Sequence, residues 1–335
     1  MINVGNNLLN FDRKRSILKI LVTGAAGFMG SEFVLQVANS TNHEIVVIDA
    51  FTYAGKKQNL SSLKKLITIS KGDICDQNFI TQVFKKHKFD LVVHFAAETH
   101  VDNSIKSPSQ FIKTNVLGTF NLVNATNKYP ISKFVYVSTD EVYGSIEEGF
   151  TSEDSSLNPS SPYSASKAGG EFLVKSYGHT FKLNYNIVRC SNNYGPRQNA
   201  EKLIPMTIKK LSMNQPVPIY GTGNNVREWL HVTDCASAIS TIAFGTSEVK
   251  IFNIGSNEYY TNLSVVHQIA HHMNFKSDYI EYVEDRKGHD FRYALDSSLL
   301  QKTYKWSPAI NMEEGLKKTI EWYLRHPKYL TGKIK

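Results

Sequence analysis

A short apolar run from Ile17 to Thr23 leads into Gly24-x-x-Gly27-x-x-Gly30, and a helical pattern from Phe28 to Ala38 follows at once. No other feature restricts the fold of this chain as much. The glycines permit a tight turn, close approach of a pyrophosphate, and close packing of helix on strand. The helix start offers unpaired amides and a positive dipole end to phosphate. Alone the spacing is a weak signal, but its place behind a first strand strengthens it. About twenty residues on, where such sites carry an acid for the ribose hydroxyls, Asp49 closes a second apolar run, Glu44 to Asp49. A carboxylate there repels a 2′-phosphate, which favours NAD over NADP, although Lys56 and Lys57 follow closely and keep NADP open.

The rhythm continues. Leu66–Ser70, Phe89–Phe95, Lys133–Ser138 and Tyr185–Arg189 read as further strands, with helical stretches through Asn115–Asn127 and Tyr163–Phe181 between them. Short β-branched runs bounded by Gly, Asp or Asn are the mark of buried parallel strands. The expected fold class is α/β, a Rossmann-type doubly wound parallel sheet. After Asn192 the pattern loosens at Pro196, Pro205, Pro216 and Pro218. That predicts a smaller, discontinuous C-terminal α/β substrate lobe, with the chain crossing back at least once. The division expected is 1–16 as an N-terminal extension, 17–191 as the cofactor domain, and 192–335 mainly as the second lobe. A polar loop from Glu147 to Ser161 is expected to cover or border the site.

Composition narrows the function. The chain has 335 residues, 41% hydrophobic and 20% charged, ordinary for a globular enzyme. No apolar run is long enough for a bilayer span, and the first sixteen residues lack the apolar stretch of a signal peptide, so a cytoplasmic location is expected. Three widely spaced cysteines, Cys75, Cys190 and Cys235, give neither a disulfide framework nor a metal-ligand spacing. The net charge of +8 suits an anionic diphosphate. With no basic run interleaved with aromatics, nucleic acid is not an expected partner.

The chemistry concentrates in Ser138-Thr139-Asp140-Glu141-Val142-Tyr143-Gly144 and, a loop later, Tyr163 and Lys167. Tyr163 and Lys167 lie four apart on a helix and share a face. A nearby ammonium and a nicotinamide cation would lower the phenol from about 10 toward neutrality. The tyrosinate could then take a proton from a sugar hydroxyl. Thr139 ends the preceding strand and can bond the reacting oxygen. Asp140 and Glu141 are the unusual part, because two acids at the end of a central strand are costly unless exposed or used. Opposite environments would keep one protonated and one ionised, an acid and a base for elimination. In other contexts the same pair would be an exposed acidic turn.

With these residues in view, the chain resembles the extended short-chain dehydrogenase/reductase family, and within it the nucleoside-diphosphate-glucose 4,6-dehydratases. The resemblance runs from about Ile17 to about Trp322. The Ser138–Gly144 motif carries it most specifically. Further matches are Asp49–Gly55, Ala96–Asp102, Tyr163–Lys167, Arg189–Pro196, Glu201–Pro205, Gly221–Trp229 and Asp285–Asp290.

The resemblance implies conversion of dTDP-glucose or UDP-glucose to the 4-keto-6-deoxy sugar nucleotide with NAD as a recycled cofactor. Tyr163 would act at C4 with Thr139 and Lys167, Glu141 would take the C5 proton, and Asp140 would protonate the leaving C6 hydroxyl. Phe28 and Met29 in the glycine turn would join the cofactor site, as would Ala50, Phe51 and Thr52 behind Asp49. Asp73 and Ile74 would hold the adenine edge, unless Asp73 is simply a helix cap. Phe95, Ala96 and Ala97 would let the backbone pass close to the cofactor, with Thr114 and Asn193 beside it. On the nucleotide-sugar side the implied residues are Thr99, Asn192, Lys202 and Leu203, then Pro218, Tyr220 and Asn262 around the base and ribose. Arg227 and Arg286 would take the phosphates and His289 would close the pocket.

Two departures, Arg197–Ala200 and Lys287, leave the choice of base open. A nucleotide-sugar 4-epimerase or decarboxylase, or a catalytically silent NAD-binding scaffold, are the alternatives; neither needs the acid pair. The helices over Ser107–Asn127 and Tyr163–Phe181 imply a homodimer seam by the same resemblance.

Overall fold

The computed structural model describes residues 17–276 and 278–331. The expected extension, 1–16, lies outside the described residues.

Seven parallel strands form the main sheet. They are β1 (Lys19–Thr23), β2 (Glu44–Asp49), β3 (Ile67–Lys71), β4 (Leu91–His94), β5 (Lys133–Thr139), β6 (Tyr185–Cys190) and, from far along the chain, a strand at Ile251–Ile254. The order places β1 between β2 and β4, with β3 at one edge and Ile251–Ile254 at the other beside β6. Connections leave β1 in opposite directions, and the crevice at that reversal is where such sheets bind ligands. Apolar residues on the two faces form separate clusters. Ile20, Val22, Val47 and Val135 point to one side, and Leu21, Val46, Val92 and Phe134 to the other. Burial on both faces explains why these runs do not alternate.

Helix α1 (Phe28–Ser40) follows the glycine turn, α2 (Gln77–Lys86) is capped by Asp76, and α3 (Val101–Lys106) and α4 (Pro108–Phe111) are short. The helix expected through Asn115–Asn127 is not regular. A π-helical segment, Ile112–Gly118, precedes α5 (Thr119–Lys128). Inside it the Asn115 amide is buried, accepting from the Glu98 N–H at 2.9 Å and donating to the Ser166 hydroxyl at 2.8 Å. Helix α6 (Pro162–Phe181) starts on a reciprocal Ser161–Ser164 capping box with Pro162 at its first position.

The second lobe contains β7 (Asn192–Tyr194), α7 (Leu203–Ser212), β8 (Val217–Tyr220), β9 (Val226–His231) and then α8 (Val232–Phe244). Helix α8 packs back on α1, and the chain continues into the sheet-edge strand, now β10 (Ile251–Ile254). This is the return crossing. Next come β11 (Tyr259–Thr261), α9 (Asn262–His272), β12 (Ile280–Val283), α10 (Ser298–Tyr304), α11 (Met312–Arg325) and α12 (Lys328–Thr331). Small sheets β11–β9–β7 and β12–β8 surround a core that includes Tyr194, Ile208, Trp229, Ile269 and Leu316.

Candidate active site

One cavity runs from the glycine turn to the candidate catalytic residues. Gly24, Gly27 and Gly30 line one end, and Thr139, Asp140, Glu141, Tyr163 and Lys167 the other. The glycines are required by space. Gly24 has φ +70°, and a Cβ there would stand 2.5 Å from the Ala96 nitrogen; one at Gly30 would stand 2.5 Å from the Gly24 carbonyl oxygen. The α1 N-terminus carries no side-chain cap, which leaves its amides for a phosphate. Asp49 lines the cavity, its carboxylate accepting from the Ala26 N–H at 2.8 Å and the Phe51 N–H at 2.7 Å. The oxygens keep lone pairs for a ribose. These features fit NAD.

Phe28, Met29, Ala50, Thr52, Asp73, Ile74, Phe95, Ala96, Ala97, Thr114 and Asn193 also line this cavity. Phe51 does not; at φ +52° its side chain packs on the sheet core instead. Asp73 is not the cap of α2, a role Asp76 fills, but accepts from the Cys75 N–H in a tight turn. Lys56 and Lys57 are outside the lining, their ammonium groups 5.3 Å over the Tyr329 ring and 5.8 Å over the Phe51 ring. Neither lies beside Asp49 in the lining to welcome a 2′-phosphate. The Glu147–Ser161 loop does not line the cavity either; it backs the catalytic turn, with the Asn158 N–H bonded to the Val142 carbonyl.

At the catalytic end, Thr139 finishes β5 and the chain turns through a 3₁₀ segment, Asp140–Tyr143. The Thr139 hydroxyl donates to Asp140 Oδ1 at 3.1 Å, while Asp140 Oδ2 is buried without a partner. Burial, with the charges of Glu141 and Glu228, lifts the Asp140 carboxyl well above the usual range. Burial also raises Glu141, but Arg227, Lys202 and Arg286 oppose it. Arg227 lowers both carboxyls, but the charges of Glu141 and Glu228 push Asp140 further up, whereas Glu141 has Lys202 and Arg286 as well, set against Asp290.

The expected lowering of Tyr163 is not found in the protein by itself. Burial and the Glu141 charge raise it well above its ordinary value, with a Thr139 hydrogen bond opposing. The Lys167 ammonium donates to the Val137 carbonyl at 2.6 Å and lies 4.3 Å over the Tyr136 ring. Lys167 is itself brought down to about 8 by burial. What remains to favour the phenolate is the positive charge of an oxidised nicotinamide.

On the nucleotide-sugar side, Thr99, Asn192 and Lys202 line the same cavity, with the Lys202 ammonium on the Thr99 carbonyl at 3.1 Å. Leu203, Pro218, Tyr220, Arg227, Asn262, Arg286 and His289 lie outside it. Leu203 packs on the second-lobe core, Pro218 sits in β8, and Asn262 opens α9. Arg227 is buried, three of its N–H groups bonding the carbonyls of Val226, Phe291 and Asp290. Arg286 pairs with Asp102 and stacks 5.1 Å over Tyr220, whose hydroxyl also bonds Asp102 at 3.3 Å. His289 bonds Asp285 at 2.7 Å and packs edge-on against Tyr220. Both arginines are thus held by protein groups.

Sequence reasoning missed Cys190, Ser191, Glu98 and Gln110 as lining residues, and noted Arg197 only as a departure. Cys190 and Ser191 end β6 beside Asn192, so the strand-end rule used for Thr139 was the available signal.

A parallel sheet with a nucleotide cradle at its switch point and a Thr–Tyr–Lys set at the next crevice defines an extended short-chain dehydrogenase/reductase. Comparison sharpens this. A family model described as GDP-mannose 4,6 dehydratase matches residues 21–319. A dTDP-glucose 4,6-dehydratase of Streptomyces niveus is 42% identical, over 91% of this chain and 93% of its own. The crystal structure of the Streptomyces venezuelae dTDP-glucose 4,6-dehydratase, solved with NAD bound, superposes with a TM-score of 0.91 at 38% identity, covering 94% of this chain and 99% of that one. A UDP-glucose 4-epimerase of Thermotoga maritima shares the fold at 28% identity and a TM-score of 0.87, covering 92% of this chain and all of the other. The chain belongs to the NAD-dependent nucleotide-sugar 4,6-dehydratase family.

Proposed function

We propose that this chain converts an NDP-glucose into the NDP-4-keto-6-deoxyglucose and water. dTDP-glucose comes first because the named relatives act on it, and UDP-glucose is the second candidate. The observation that carries the reading is Asp140 and Glu141, in contrasting electrostatic surroundings, within one cavity with Tyr163.

When bound, NAD supplies a reversible hydride acceptor, used at C4 and returned at C6, so none is consumed. Tyr163 takes the C4 hydroxyl proton while Thr139 holds that oxygen. Lys167, on the same face of α6, is held on the Val137 carbonyl and assists from there. The C4 ketone acidifies the C5 proton, and Glu141 removes it. Asp140, still protonated, gives its proton to the C6 hydroxyl, which leaves as water, and C5 regains a proton from Glu141 as hydride returns to C6. An epimerase needs only the Thr139–Tyr163–Lys167 half of this set, and an inactive scaffold needs none of it. Lys202 lines the cavity and, with the nearby charges of Arg227 and Arg286, gives that side a positive potential suited to a diphosphate.

Incubating the purified protein with dTDP-glucose and with UDP-glucose, without added NAD, is the test. A product lighter by one water from either supports the reading and ranks the two bases. Epimerised sugar, or no change even with NAD added, overturns it.

We further read the chain as a homodimer. Ile112, Leu117 and Phe172 are large apolar side chains left 52%, 44% and 58% exposed on the helices of the expected seam. Sedimentation giving only monomer at micromolar concentration would contradict this. No helix of the described residues is long and apolar enough to cross a membrane. With Cys75, Cys190 and Cys235 all unpaired, a reducing cytoplasm is the compartment we propose.

A further inference from the structure

Behind the active site, and touching none of the cavity, lies a charged group the mechanism does not use. Arg189 of β6 is among the largest fully buried side chains, and its partner Glu171 on α6 is equally buried. The guanidinium donates through Nη2 to Glu171 at 2.7 Å and through Nε at 3.1 Å. Its Nη1 donates to the Tyr143 hydroxyl at 2.7 Å and to the Glu153 carbonyl at 3.1 Å. The Tyr143 hydroxyl in turn donates to Asn253 of β10 at 2.8 Å. Asn253 is fixed through its amide on the Thr151 carbonyl at 2.9 Å and through its N–H on the Glu153 carboxylate at 2.8 Å.

The two ends of this network matter. Glu171 follows Lys167 and Tyr163 at four-residue steps on one face of α6. Tyr143 closes the 3₁₀ turn that begins with Asp140 and Glu141. One guanidinium thus ties the helix that carries the C4 proton acceptor to the turn that carries the elimination acid and base. Its rigid fork holds both at fixed separation, which a flexible ammonium would not do.

We propose that Arg189 and Tyr143 are positioning residues that set the Asp140–Glu141 turn in register with Tyr163, so that elimination at C5 and C6 follows oxidation at C4 without movement of the sugar. This rests on the dehydratase reading. A buried ion pair is poor evidence for stability as such. Here the guanidinium spends one N–H on the turn and another on the loop behind it, where a purely stabilising pair would face Glu171 alone.

The test separates the two half-reactions in Tyr143→Phe, which removes one oxygen, and in Arg189→Lys, which retains charge for Glu171 but cannot span to the hydroxyl. Each is mixed with NDP-glucose in a single turnover. Reduction of bound NAD reports C4 oxidation, and solvent deuterium entering at C5 reports the Glu141 step. The expected result is oxidation and substrate KM near wild type, with C5 exchange and water loss slowed about tenfold or more, the penalty of a small misplacement. Reduced cofactor should then accumulate. Oxidation and elimination falling together, or neither changing in Tyr143→Phe, would overturn the proposal. A wild-type protein that releases no water would instead sink the dehydratase reading, and the two failures are distinct.

Discussion

Asp140→Asn tests the protonation state on which the elimination depends. In the folded protein the Asp140 carboxyl lies well above the ordinary aspartate value, with burial the first cause. Between the unfolded and folded values the native state therefore holds one more proton than the unfolded chain. Stability must fall as pH rises through that window, by up to about 1.4 kcal/mol per pH unit for one group. Asparagine removes this titration. It preserves the acceptor for the Thr139 hydroxyl and puts its amide nitrogen where Oδ2 has no partner.

Below the carboxyl range the variant and the parent should agree within about 1 kcal/mol, one hydrogen bond's worth. Above it the variant should become progressively the more stable, because the parent alone carries a penalty for ionising Asp140. Titrating groups that do not feel the Asp140 charge are common to both proteins and cancel in the difference, which leaves Asp140 and its neighbours Glu141 and Glu228. Water loss should fall by about 10²- to 10⁴-fold, the scale of a lost general acid, while reduction of bound NAD persists. Urea unfolding of both proteins at several pH values, with single-turnover kinetics, measures both effects. If the variant were less stable at neutral pH by more than about 2 kcal/mol, with the gap widening as pH rises, Asp140 would be a paired carboxylate. The acid role assigned to it would then be wrong.

Further outcomes follow from the same geometry. In Gly30→Ala the new Cβ meets backbone at 2.5 and 2.9 Å, so the variant should lose about 1–3 kcal/mol of stability and emerge from gel filtration depleted of NAD. Lys167, lowered to about 8, is cationic below that pH, so kcat/KM should decline as pH rises through it, and Lys167→Arg should move that limb upward in a pH–rate profile. Asp102→Asn removes the carboxylate that orients Arg286; it should raise the nucleotide-sugar KM about fivefold, about 1 kcal/mol, with kcat kept. A KM that falls instead would show that Asp102 competes with the diphosphate for Arg286.

The sequence by itself determined whatever depends on neighbours close along the chain. The first strand, the glycine turn and α1 are one local unit, so Gly24, Gly27, Gly30 and Asp49 were legible as a cofactor cradle. Tyr163 and Lys167 share a helix face by spacing alone, and the Thr139–Glu141 turn ends a strand whose composition marks it. The helix expected at Asn115 begins with a π-helical segment, in which the buried Asn115 amide bonds Glu98 and Ser166, contacts no local propensity encodes.

Tertiary structure alone decided how the acids differ, since Asp140 feels Glu228 while Glu141 feels Lys202 and Arg286, all remote in sequence. It decided that Lys167 bonds the Val137 carbonyl rather than activating Tyr163 unaided. It also joined Arg189 to Glu171, Tyr143 and Asn253, three residues from separate elements. The reason is physical: spacing along a strand or helix fixes which side chains can meet locally, but desolvation and charge depend on everything the fold brings around a group.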